Sequence, residues 1–66
     1  MNADQEERLI SIRNVASRLG LSVRAVYRLV ARDEFSRPVK VGGATRFYES
    51  DLDEYLSRLR EGRNSR

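Results

Sequence analysis

"SRLGLSVRAVYRLV", residues 17–30, sets one glycine between two short apolar-periodic runs. Upstream, Ile12, Val15, Ala16 and Leu19 recur at the spacing of one helix face, with Arg13, Asn14, Ser17 and Arg18 on the other. Ser11 stands where an N-cap is needed. Gly20 follows directly, at the position where a left-handed residue ends a helix. Downstream, Ser22 is placed to cap a second helix from about Val23 to Arg32. Take Val26 as the centre of its buried face, at about 100° per residue. Val23, Leu29 and Val30 then lie beside it, Arg24 and Arg28 lie nearly opposite, and Tyr27 sits on the boundary. Either this run is the bend of a small helical core with a solvated back, or its arginine face is built to enter a nucleic-acid groove.

Working outward, "LIS" at 9–11 reads as a short extended segment. On the other side, "RDEFSRP" breaks the helical pattern and ends in the only proline. The β-prone runs "VKV" and "TRFY" flank "GGA" at 42–44, which predicts a two-stranded hairpin with a Gly-Gly-Ala tip. Arms this short need a helical core to lean on. Ser50 is placed to cap a third helix, with Asp53 at its third position and an acidic first turn that suits the helix dipole. Leu52, Tyr55, Leu56 and Leu59 form its apolar stripe, and Phe35 and Phe47 are expected to join them in the core. Residues 1–8 read as a flexible lead-in, 9–60 as the folded domain and 61–66 as a flexible basic tail.

The totals narrow the chemistry. A chain of 66 residues holds one domain with a small core. It contains neither cysteine nor histidine, so disulfides, thiolate metal sites and the commonest general base are out of reach. No enzyme activity, metal or cofactor is expected. No apolar run approaches the roughly 20 residues that span a bilayer. The start "MNADQEERL" lacks the apolar core of a signal peptide, so a cytoplasmic, nucleoid-associated location is expected. Net charge is +3, but its distribution matters more. Residues 9–48 carry seven arginines and Lys40 against Asp33 and Glu34, a balance of +6, while both ends are net acidic. A positive field concentrated in the middle of the chain favours a polyanionic partner. The alternative is a basic but merely solvated surface.

A small residue at Ala16, glycine four positions later and a β-branched residue at Val26 give the spacing of a DNA-binding helix-turn-helix. The fold class expected is mainly α with a small β-hairpin: a winged helix-turn-helix with a two-stranded wing and a third helix. The stretch from "LISIRNVASRLGLSVRAVYRLV" through "PVKVGG" to "RFYESDLDEYLSRL", residues 9–59, resembles the AlpA/excisionase-like branch of the MerR-type winged helix-turn-helix proteins. That resemblance implies sequence-specific binding to double-stranded DNA. The role it implies is either that of a phage or prophage excisionase, which binds repeated sites, bends DNA and assists a site-specific integrase, or that of a small transcriptional regulator. A single module this small is expected to be a monomer that binds DNA cooperatively. A rival of another class is a protein-interaction adaptor or antitoxin-like module that would use the third helix and tail.

Candidate contacts follow from this frame. On the second helix they are Ser22, Arg24, Ala25, Tyr27 and Arg28, because an arginine fork can bond guanine O6 and N7 in the major groove. Ser22 is equally a plain helix cap, and Tyr27 equally a half-buried packing residue. On the wing the candidates are Lys40, Gly42, Gly43, Thr45 and Arg46, where a glycine-rich tip lets backbone approach a phosphate. The plainer reading is that the glycines only make the turn. Arg13 on the first helix is a candidate for the DNA backbone. Leu21 is expected to fill the angle between the first two helices together with Val26.

Overall fold

The structure is a computed structural model that describes residues 8–64 and the side chains of residues 8–62. Its elements run β1 (Leu9–Ser11), α1 (Ile12–Leu19), α2 (Val23–Ala31), β2 (Val39–Val41), β3 (Ala44–Tyr48) and α3 (Glu49–Asn64). The protein is a winged helix-turn-helix of three helices and one antiparallel sheet.

Both predicted N-caps form. The Ser11 and Ser22 side chains accept the backbone N–H groups of Asn14 and Ala25, each at 3.1 Å. Each bond satisfies one of the donors that the first turn leaves without a partner. At the far end of α1, Gly20 adopts φ 71° and ψ 31°. Its N–H donates to Ser17 O at 3.2 Å, and that of Leu21 to Ala16 O at 2.9 Å. This left-handed closure turns the chain sharply into α2. Val15, Ala16 and Val26 are buried where the two helices meet, and Val23, Leu29 and Val30 pack around them. Leu21 departs from its expectation: it is 43% exposed. The turn secures its backbone and leaves its side chain at the surface, so Val26 fills the angle without it.

The sheet has three strands in the order β1-β3-β2, not the two of the hairpin alone. The extended segment at 9–11 is an edge strand, pairing Leu9 with Tyr48, Ile10 with Phe47 and Ser11 with Arg46. The hairpin is tighter than its sequence suggested. Ala44 belongs to β3 opposite Val41, which leaves Gly42-Gly43 as a two-residue turn. Their φ values of 58° and 87° are both positive, the requirement of the turn whose twist matches flanking strands.

Ser50 does not cap α3. The helix starts at Glu49, two residues before the Asp51 that a Ser50 cap would place first, because β3 runs straight into it. The Glu49 N–H donates to Arg8 O at 2.7 Å, which extends the β1–β3 pairing by one bond. Glu49 and Asp51 supply the acidic first turn. At the other end the helix continues to Asn64, so residues 61–64 are helical, where a tail was expected. Most of the expected lead-in, residues 1–7, and the end of the tail, residues 65–66, lie outside the described residues.

The core comprises Ile10, Val15, Ala16, Val26, Phe35, Phe47 and Leu52. Burying a side chain of the Val, Leu, Ile or Phe class contributes about 1.5–3 kcal/mol. Phe35, from the loop after α2, stacks at 5.4 Å on Phe47 and meets Tyr55 edge-on at 5.2 Å. These rings join loop, sheet and α3, as expected for them. Leu59 is 52% exposed and does not complete the apolar stripe. All residues from 57 to 62 are exposed, so α3 projects past the surface that could cover Leu59.

Candidate nucleic-acid interface

α1 and α2 begin alike, as Ser11-Ile12-Arg13 and Ser22-Val23-Arg24. In each, serine is the cap, a β-branched residue faces inward, and an exposed arginine occupies the second helical position. Neither helix has an acidic residue in its first turn. The partial positive charge of each N-terminus is therefore reinforced by an arginine. Such placement is unfavourable in the isolated domain and favourable beside an anion.

Along α2, Arg24 and Arg28 are exposed one turn apart, opposite the buried Val26. Among the described residues neither forms an ion pair, and α2 contains no acid. Tyr27, 47% exposed, flanks them. Ala25 is half-buried and Ser22 exposed. Arg32, exposed at the C-terminal cap, repeats the four-residue interval once more. It was not among the sequence candidates, although the interval 24, 28, 32 was there to be read.

The wing does not present a single basic face. By strand alternation, Lys40 and Thr45 share the side of Phe47, while Arg46 lies on the opposite side with Val39 and Ser11. Lys40 Nζ donates to Thr45 Oγ1 at 3.0 Å. Arg46 donates through Nη1 to Thr45 O at 2.9 Å and is half-buried, more enclosed than a free surface arginine. Gly42 and Gly43 are exposed at the tip, and nothing lies within 4 Å of where a Cβ would stand.

Arg18 is a cation that the sequence reading left without a role. It binds Glu49 Oε2 at 2.9 Å and Asp53 Oδ1 at 3.2 Å, tying the end of α1 to the start of α3. The signal was present as an acid-rich run from 49 to 54, but the partner could not be chosen without the topology. Arg13 is exposed and, among the described residues, unpaired. α2 packs mainly on α1, whereas α1 and α3 pack on β3. The second helix and the wing are thus separate projections from one frame.

The family model of a helix-turn-helix domain matches residues 9–60. The chain belongs to this helix-turn-helix domain family. No curated protein and no solved structure matches the chain. Membership of the helix-turn-helix domain family implies DNA binding, and in that architecture the second helix is the reading element. Among the described residues of this helix-turn-helix domain, none that is polar or charged is buried. No helix in it is long and apolar enough to cross a membrane.

Proposed function

We propose that this helix-turn-helix domain binds duplex DNA sequence-specifically as an excisionase, occupying repeated sites, bending the duplex and assisting an integrase. The observation that carries DNA binding is the acid-free, outward face of α2, with Arg24 and Arg28 exposed and, among the described residues, without an ion-pair partner. In this reading α2 lies in the major groove and presents Arg24, Arg28, Tyr27 and the methyl edge of Ala25 to base edges. Ser22 and Arg13, at the two helix N-termini, hold phosphates and set register. Lys40, Gly42, Gly43, Thr45 and Arg46 of the wing contact the flanking backbone. The excisionase role rests on the resemblance of residues 9–59 to the AlpA/excisionase-like branch. The domain acts in the cytoplasm as a monomer that assembles cooperatively, since one small module buries little DNA surface.

The test is fluorescence anisotropy on duplexes from the DNA flanking its own gene and on random duplexes, titrated from about 50 to 200 mM salt. Several phosphate contacts give a slope of log K against log salt of about −0.9 per contact. Affinity that is flat across that range removes the DNA reading. A circular-permutation gel and an excision assay with the integrase encoded nearest the gene decide the role. Multiple copies with a bend and stimulated excision support it. Specific binding with neither assigns the domain to transcriptional regulation.

A further inference from the structure

We infer that the DNA element read by α2 contains two G·C pairs two steps apart, with one base pair between them. Arg24 reads one, Arg28 reads the other, and Arg32 grips a phosphate without reading sequence. The inference rests on the proposed DNA reading and goes beyond it by naming bases, spacing and division of labour.

Four residues of α-helix advance about 6 Å along the axis. Two base steps advance about 6.8 Å. A helix lying along the groove therefore sets Arg24 and Arg28 over positions that match this repeat. Both side chains are exposed, and among the described residues both lack an ion-pair partner, so neither must break a contact to reach a base. Guanine is the base whose O6 and N7 accept both prongs of an arginine fork, and this is the commonest specific arginine contact. No carboxylate on α2 is available to accept from cytosine N4, and no asparagine or glutamine to pair with adenine.

The row also turns as it climbs. Four residues at about 100° each bring the next arginine about 40° further round the helix. If the line midway between Arg24 and Arg28 faces the groove floor, Arg32 points about 60° away from it, toward the groove wall. That wall carries phosphates.

The experiment is selection from a randomised duplex library with the full chain and with R24A, R28A and R32A, each checked by a melting curve. Wild type is expected to enrich G·C pairs two steps apart. R24A relaxes one of these positions and R28A the other, each by about 5- to 150-fold in discrimination. R32A enriches the wild-type motif and lowers the salt slope by about 0.9. Replacing either guanine by 7-deazaguanine weakens wild type and leaves the matching alanine variant unchanged. A folded wild type that selects a motif without the paired guanines, or R24A and R28A that both retain the full motif, overturns the inference while the DNA reading stands. No duplex binding by the wild-type chain overturns both.

Discussion

Arg18 in α1 and Glu49 in α3, 31 positions apart in the chain, meet at 2.9 Å, and Asp53 one turn further along α3 shares the same guanidinium. This clamp removes Arg18 from the cations available to DNA. It joins the first helix to the helix that follows the wing. Arg18→Ala is therefore expected to cost stability and not DNA contact. Exposed ion pairs contribute about 0.2–1 kcal/mol each, and these are only partly screened from water, so a loss near 1 kcal/mol is expected. Thermal melts at low and at about 1 M salt check it, since screening should erase most of the difference. A salt slope for DNA binding that falls by a full contact in the variant would contradict the assignment.

Two left-handed residues predict opposite outcomes. Gly20 at φ 71° has open space around it, so Gly20→Ala costs backbone strain alone, about 1–2 kcal/mol. Asp33 at φ 60° closes α2 in the same way, with its N–H donating to Val30 O at 3.0 Å and that of Glu34 to Leu29 O at 2.9 Å. Here Asp33→Gly relieves strain and stabilises by about 0.5–1 kcal/mol. The ion pair lost to Arg37 is 3.8 Å long and well exposed, so it offsets little. Chemical denaturation of both variants reads the two signs; a stabilised Gly20→Ala or a strongly destabilised Asp33→Gly is the contrary result.

The wing residues are expected to act without sequence preference. Lys40→Ala and Arg46→Ala should each weaken specific and random duplexes by similar factors and reduce the salt slope by about 0.9. Because the two side chains leave opposite faces of the sheet, the double variant tests whether one duplex engages both. Additive slopes mean that it does. A double variant no worse than one single confines the contact to that residue's face.

Val26→Asp separates folding from recognition. Val26 is fully buried, and a carboxylate there has no partner. The variant should lose its cooperative melt and its DNA binding together. Circular dichroism with anisotropy reads both, and binding that survives in an unfolded chain would place recognition outside the helix-turn-helix.

The helical half of the fold was legible because its signals are local. Ser11, Gly20 and Ser22 each act within a few residues of their own position, and the apolar spacing around Val15 and Val26 is a property of one helix at a time. The sheet was only half legible. A glycine pair announces the hairpin, but the pairing of β1 with β3 joins residues 9–11 to 46–48, and no three-residue strand carries enough pattern to declare its partner. The same limit explains Ser50, which has the composition of a cap. A carbonyl at Arg8, distant in sequence, meets the Glu49 N–H, and the helix begins there, two residues early. Leu59 misled for a different reason: periodicity shows which face is apolar, not where the neighbouring surface ends. On the interface, Arg24 and Arg28 were visible from the helical wheel, whereas the engagement of Arg18 depends on the α3 residues brought beside it and the enclosure of Arg46 on the neighbouring strands.

Ser11 belongs to two structures at once. Its backbone pairs with Arg46 at the edge of the sheet, and its hydroxyl caps the helix that begins at the next residue. No spacer separates β1 from α1, so the wing and the proposed reading helix α2 are held like the jaws of a gauge whose opening is set in advance. The entropy of setting that opening is spent in folding rather than at the moment of docking. A duplex gripped at both jaws must then conform to the gauge. Steps that yield easily, such as pyrimidine–purine steps, would be admitted at less cost than stiff A-tracts, even where no side chain touches them.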